Sequence, residues 1–249
     1  MQKGMAVWKS CGKQERRDGE TMVSKELVKL LLEEGALRFG DFTTKSGRKS
    51  PYFVDMGRVH SGASLSRLAA FYADKIVELK EQGRISAEVR CIFGPAYKGI
   101  SLAVSTSIAL HCLYGWDLSF GFNRKERKDH GEGGDLVGYP IQPGDSILIL
   151  EDVITAGTAI RESLGMLEKI GDVRIEGILV CLDRMEKGIS GLSAVKEIQQ
   201  DHGIPVCSLL TLEDILMYLM EEETSGNPRI LPSERVALES YFHEKGVRG

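Results

Sequence analysis

Ile147-Leu148-Ile149-Leu150-Glu151-Asp152-Val153-Ile154-Thr155-Ala156-Gly157-Thr158-Ala159-Ile160 is the stretch on which both fold and chemistry turn. The apolar run over residues 146–150 is long enough to be a strand buried on both faces. Thr155-Ala156-Gly157-Thr158 then turns into a helix whose first amides have no acceptor within the chain. Free N–H groups, the positive end of the helix dipole and two threonine hydroxyls make a receptor for a phosphate dianion. Glu151 and Asp152, at the carboxyl end of the strand, have the wrong charge for phosphate. They suit the vicinal hydroxyls of a ribose, or a cation carried with it, so the whole describes a site for a ribose 5-phosphate. No Gly-Lys-Ser/Thr follows the strand and the spaced glycines of a dinucleotide fingerprint are missing, which excludes those two phosphate-binding motifs.

Working outward, strand and helix signals alternate. Strands are expected at residues 89–93, 118–122, 146–150, 174–182 and 204–209, with helices between them at 99–113, 156–170 and 190–202. Such alternation implies a parallel sheet covered on both faces, with ligands at the carboxyl ends of its strands. Residues 64–80 form a helix by the 3–4 spacing of Leu65, Leu68, Ala69, Tyr72, Ile76 and Leu79, and an earlier helix spans residues 24–34. Short strands are expected over residues 36–58, around a basic turn. Thr211 caps a further helix to Met220, and a last amphipathic helix runs over residues 233–245. Residues 1–22 lack an apolar core and are expected to be a disordered extension, leaving 23–249 as one domain.

Composition sets the outer bounds. With 249 residues, 42% hydrophobic and 27% charged, the chain is ordinary for a soluble globular protein. A net charge of −4 argues against nucleic acid as the main partner, and no apolar run approaches the ~20 residues of a membrane span. Five cysteines and five histidines show no metal-ligand spacing, so no protein-built metal site is expected and a reducing cytoplasm fits best.

Four further segments carry chemistry. Gly94-Pro95-Ala96-Tyr97-Lys98-Gly99 follows a strand and opens a helix, so Lys98 would aim its charge at a bound anion and Gly99 would let the backbone approach it. Asn123-Arg124-Lys125-Glu126-Arg127-Lys128-Asp129-His130-Gly131-Glu132-Gly133-Gly134 has charges and glycines but no apolar anchor, as a lid over a diphosphate would. Lys45-Ser46-Gly47-Arg48-Lys49-Ser50-Pro51-Tyr52-Phe53-Val54 is a basic turn entering an apolar strand. Leu182-Asp183-Arg184 closes another strand with a guanidinium suited to a carboxylate or a uracil-type carbonyl. Taken singly, each also fits a solvated turn or loop.

Taken in this order, the segments resemble the orotate phosphoribosyltransferase family, within the type I phosphoribosyltransferases, over residues 25–247. The resemblance implies an α/β fold: a parallel five-stranded sheet flanked by helices, with a small N-terminal hood from residues 23–60 and the C-terminal helices. It implies Mg²⁺-dependent transfer of phosphoribose from 5-phosphoribosyl 1-diphosphate to N1 of orotate in pyrimidine nucleotide synthesis. The family motifs carry the donor onto Lys45, Tyr97, Lys98, Arg124, Lys125, Lys128, His130, Glu151, Asp152, Val153, Ile154, Thr155, Ala156, Gly157, Thr158 and Ala159. Lys45, Phe53, Val54, Thr155 and Arg184 fall on the orotate side, and Lys98, Lys128, His130 and Asp152 are the catalytic candidates. Mg²⁺ would be held mainly by the donor's diphosphate and ribose hydroxyls. A homodimer is implied, with lid residues Arg124, Lys128 and His130 serving the neighbouring subunit's site. The chain departs from the family pattern at Glu151, where many bacterial members carry Asp, and at Val54, where an aromatic is common. Two rivals remain: a phosphoribosyltransferase for another base, which a panel of bases would separate, and a nucleotide-sensing regulator. The regulator would need a basic face or a helix-turn-helix. The two helices after Leu209 are too little for a fused barrel enzyme.

Overall fold

A twisted six-stranded sheet in the order β5-β4-β3-β6-β7-β8 organises the chain. The structure is a computed structural model describing residues 19–44, 47–126, 135–188 and 190–246. Strands β3 (Cys91–Phe93), β4 (Ser119–Asn123), β6 (Ser146–Ile154), β7 (Arg174–Asp183) and β8 (Val206–Thr211) are parallel. They are the five expected strands. A sixth, β5 (Leu136–Gly138), pairs antiparallel with β4 at the edge. Three residues are too short to carry a periodic signal, so β5 is invisible in the sequence.

The alternation along β6 shows why the sheet needs two covers. Leu148 and Leu150 pack on one face with Ile92, Leu179 and Cys181, while Ile147 and Ile149 pack on the other with Phe93, Ile178 and Val180. Helices α2 (Gly62–Glu81) and α3 (Lys98–Tyr114) supply the first face; α4 (Thr158–Leu167) and α5 (Ala194–His202) supply the second. Every residue of β6 except Val153 is buried. Truncating one of these side chains, Ile149→Ala for instance, falls in the range of roughly 2–5 kcal/mol for buried aliphatics.

Local signals set the ends of the elements. Ser61 caps α2 by accepting from the Ser64 amide, and Thr211 with Asp214 forms a capping box on α6 (Leu212–Thr224). Pro232 opens α7 (Pro232–Lys245). The first helix, α1 (Gly19–Glu33), begins earlier than residue 24, so Gly19 to Met22 belong to it rather than to the extension. No breaker interrupts that run and Glu20 favours a helix start, whereas residues 1–18 lie outside the described residues. Helix α5 begins only at Ala194, capped by Ser193, because Gly188 and Gly191 sit in a short bridged turn before it. Helix α4 ends at Leu167 in a 3₁₀ turn rather than running to residue 170.

Beside the sheet, β1 (Leu37–Thr43) and β2 (Lys49–Val54) form an antiparallel hairpin. Pro51 is tolerated because β2 has a partner on one side only. Tyr52 is fully buried on this hairpin and meets Tyr241 of α7 edge-on, ring centroids 6.0 Å apart. The N-terminal hairpin and the C-terminal helix therefore make one lobe over the carboxyl ends of the strands.

Candidate active site

Strand order locates the site before any side chain is considered. From β3 the chain moves outward to β4 on one side, then returns to β6 on the other and continues to β7 and β8. The crevice between the carboxyl ends of β3 and β6 is the topological switch point, where loops leave in opposite directions and open a cleft. The loops leaving these two strands are residues 94–97, with Lys98 opening α3, and 155–157, within the two segments singled out for phosphate chemistry.

Glu151 and Asp152 lie in the last turns of β6, both buried. Tyr72 of α2, fully buried, donates its hydroxyl to the Glu151 carbonyl at 2.7 Å and fixes the strand from below. Asp152 Oδ1 accepts from the Val153 amide at 2.8 Å, and its Oδ2 meets Lys98 Nζ at 3.0 Å. That ion pair spans the switch point. Glu151 Oε1 accepts from the Asp152 amide at 3.0 Å, while its Oε2 is buried without a hydrogen-bond partner. Burial, then the neighbouring Asp152 carboxylate, pushes the Glu151 carboxyl up to about 8. The carboxyl thus resists ionisation, and among the described residues one of its oxygens has no hydrogen-bond partner.

The turn after β6 is open. Thr155, Ala156 and Thr158 are exposed, and Gly157 takes the left-handed conformation at φ 71° to enter α4. Helix α4 has no side-chain cap, so its first amides are available to a ligand. Arg161 holds the turn from behind, donating to the Ala156 carbonyl at 2.6 Å while pairing with Glu197 at 2.8 Å.

On the β3 side, Gly94 and Gly99 fold against each other. A Cβ built on Gly94 would stand 1.9 Å from the Gly99 carbonyl oxygen. The bare backbone of Gly99 thus serves the closure of its own loop, where the sequence suggested approach to an anion. Asn123 Oδ1 accepts from the Ala96 amide at 2.8 Å and pins the loop to the end of β4. The Ala96–Tyr97 peptide is cis, and Tyr97 stands 71% exposed above the cleft.

Arg124 and Lys125 lie at the start of the segment that the sequence suggested as a lid. The Arg124 amide donates to the Asp135 carbonyl at 2.7 Å, closing the neck of the segment, and β5 is its return limb. Arg124 Nε is buried with no hydrogen-bond partner, and Lys125 reaches Glu162 of α4 at 3.5 Å. Lys128, His130 and Lys45 lie outside the described residues. Phe53 and Val54 are half-buried at the end of β2, and the next residue, Asp55, lies 4.0 Å from Lys98 Nζ.

Arg184 departs from the bland expectation of a solvated arginine: it is buried. Its amide donates to the Ile154 carbonyl at 3.3 Å, directly beside the turn at 155–157, and its side chain reaches to Ser50 of β2 at 3.2 Å. Three residues with roles in this geometry were given none by the sequence: Asp55, Asn123 and Glu186, the last paired with Arg184. Asn123 heads the lid segment, which is its only local signal. Asp55 meets its partner far away in the chain, and Glu186, though next but one to Arg184, is enclosed by Arg48 and Tyr241 from distant segments, so neither carries a local signal.

The comparisons with known proteins bear on this arrangement. Residues 58–206 match the phosphoribosyl transferase domain family. An orotate phosphoribosyltransferase from Bifidobacterium adolescentis is 43% identical over 222 residues, covering 88% of this chain and 96% of that protein. One from Pseudomonas aeruginosa is 44% identical over 223 residues, covering 90% and 98%. The crystal structure of the Francisella tularensis orotate phosphoribosyltransferase is similar at 34% identity and a TM-score of 0.72, covering 89% of this chain and 100% of that one.

Proposed function

Because the chain belongs to the orotate phosphoribosyltransferase family, we propose that it transfers phosphoribose from 5-phosphoribosyl 1-diphosphate to N1 of orotate, yielding orotidine 5'-phosphate and diphosphate for de novo UMP synthesis. The observation that carries this reading is the pairing across the switch point. A buried acidic strand end beside an uncapped helix turn faces Lys98, the residue that opens α3 across the crevice. The acidic pair takes the ribose hydroxyls, the turn at 155–159 takes the 5-phosphate, and Lys98 faces the diphosphate.

Breaking the bond from ribose C1 to diphosphate leaves an electron-poor sugar and a leaving group gaining negative charge. Lys98, Arg124, Lys125, Lys128 and His130 gather positive charge around that leaving group. One such aimed donor is typically worth about 3–4 kcal/mol in the transition state. The charge of orotate sits on its carboxylate, so N1 gives up its proton, to the departing diphosphate or to solvent, as its bond to C1 forms; Phe53, Val54, Thr155, Arg184 and Lys45 orient the ring. Closure of the lid segment, residues 123–134, would exclude water that would otherwise capture the sugar.

Among the described residues no three His, Cys, Asp or Glu side chains converge as metal ligands. Glu151 and Asp152, with the unsatisfied Glu151 Oε2, nevertheless fit a hard cation brought in by the donor. Mg²⁺ held there and by the donor's own oxygens would supply charge neutralisation for the departing diphosphate. The working unit in this reading is a homodimer. No helix among the described residues is long and apolar enough to cross a membrane.

Orotate absorbance followed with 5-phosphoribosyl 1-diphosphate, with and without Mg²⁺ and against uracil, adenine and hypoxanthine, tests the assignment. Magnesium-dependent consumption of orotate alone is expected. Turnover of a different base with orotate untouched would overturn it.

A further inference from the structure

Glu186 is the most enclosed acidic side chain near the site and has no part in the chemistry above. Its side chain is 3% exposed and lies between two guanidinium groups. Oε1 accepts from Arg184 Nε at 2.6 Å and from the Tyr241 hydroxyl at 2.8 Å; Oε2 accepts from Arg48 Nη1 at 2.6 Å. Every donor is charged or phenolic, and charge-assisted bonds of this length are the strong ones.

The backbone is bent to make this contact. Met185, between Arg184 and Glu186, is the non-glycine residue with positive φ among the described residues, at 53°. An L residue with a long side chain enters that region only when its surroundings demand it. The Asp183 carboxylate holds the bend by accepting from the Met185 amide at 2.8 Å. The turn brings the side chains of residues 184 and 186 together.

Glu186 and Ser50 between them claim Nε and Nη2 of Arg184, and the Tyr52 ring lies under the guanidinium, 4.3 Å from its carbon to the centroid. Two bonds in the plane and a ring beneath leave the fork no rotational freedom. Arg184 is thus anchored at the turn beside Ile154 by its backbone amide and at β2 by the bond from its guanidinium to Ser50. These two segments flank the nucleobase under the reading above.

We propose that Glu186, supported by Tyr241 and Arg48, is a positioning residue that locks the Arg184 guanidinium toward the nucleobase, making α7 part of base selection. This rests on Arg184 serving the orotate side. The energetic logic is preorganisation: a fork fixed before binding loses no freedom when it meets a planar anion. Tyr241 reports its orientation from α7, and a bridge from Glu186 to Gly246 fastens the same turn to the end of that helix.

The test uses the full chain and three variants. Tyr241→Phe keeps the ring against Tyr52 and removes one bond to Glu186; Glu186→Gln removes the charge; Arg184→Ala removes the group being positioned. Expected for Glu186→Gln is a rise in the orotate KM of about tenfold, for Tyr241→Phe a smaller rise of about threefold, with the donor KM within about twofold in both. Preference for orotate over uracil should fall in the same order. A structural role alone would lower Tm and kcat together and leave both KM values and the base preference in place, overturning the proposal. If Glu186→Gln does not fold, the KM ratio and base preference of Tyr241→Phe decide the matter alone. An unchanged orotate KM in Arg184→Ala would instead overturn the underlying assignment of Arg184. A raised KM there, with Tyr241→Phe and any folded Glu186→Gln unaffected, would sink the proposal and leave that assignment standing.

Discussion

Glu151 shows how a single buried carboxyl ties stability to ligand binding. Burial and the adjacent Asp152 raise it from 4.5 to about 8 in the folded protein. The folded state therefore holds a proton that the unfolded chain releases over this window, and stability from this group is present at low pH and lost as pH rises through it. Thermal unfolding of the unliganded protein should show this directly. Between about pH 5 and 8 the wild type should lose Tm relative to Glu151→Gln; parallel curves would contradict the burial account. Ribose hydroxyls and a cation favour the ionised form, so donor binding near neutral pH should expel a proton. Titration calorimetry in two buffers of different ionisation enthalpy should give different apparent heats for the wild type. The difference should shrink in Glu151→Gln, and equal heats in the wild type would refute the coupling. Lys98 is spent on Asp152 at 3.0 Å before any ligand arrives, so the donor must exchange partners on both rather than fill vacant charges.

At the scale of elements, the loop at 94–99 works only because two glycines touch. A Cβ on Gly94 would meet the Gly99 carbonyl carbon at 2.4 Å and its oxygen at 1.9 Å, so the loop must open and carry Lys98 with it. Gly94→Ala should cut kcat/KM by about a hundredfold, since misplacing a catalytic group by an ångström has that cost. Stability should fall as for an overpacked buried turn, by roughly 1–3 kcal/mol. Steady-state kinetics beside thermal unfolding separate the two; retained activity would show that the loop tolerates opening. The pattern of what could be read in advance follows range. Strands β6 and β7 announce themselves by unbroken apolar runs, and α4 by the turn before it, because those signals lie within a few residues. The lid's return strand β5 has three residues and no period, and the helix start at Ala194 depends on a bridged turn. The placing of Glu151 and Asp152 at a strand end and of Lys98 at a helix start was legible too, because each is set by signals within a few residues. Glu186 was not, since its partner Arg48 is 138 positions away. Asp55 meets Lys98 by way of the hairpin, and no local spacing encodes that.

At the scale of the molecule, the segment proposed as a lid lies between β4 and β5 at the sheet edge, where the Arg124 amide donates to the Asp135 carbonyl. A segment rooted at an edge can close over the cleft of its own subunit or over that of a neighbour, and the two arrangements differ in a measurable way. Consider Lys128→Ala, with a defective lid and an intact acidic pair, and Asp152→Asn, with an intact lid and a defective pair. Each homodimer alone should be nearly inactive. If lids act across the interface, a mixed dimer gives the Lys128→Ala subunit an intact lid from its partner, and one of its two sites becomes complete. Random exchange at equal concentrations makes half the dimers mixed, so activity should recover to about a quarter of wild type. If each lid serves its own subunit, every site in every dimer keeps one defect and mixing restores nothing. Subunit exchange followed by the orotate assay reads the result. Absence of recovery, with mixed dimers verified by mass, would assign the lid to its own chain.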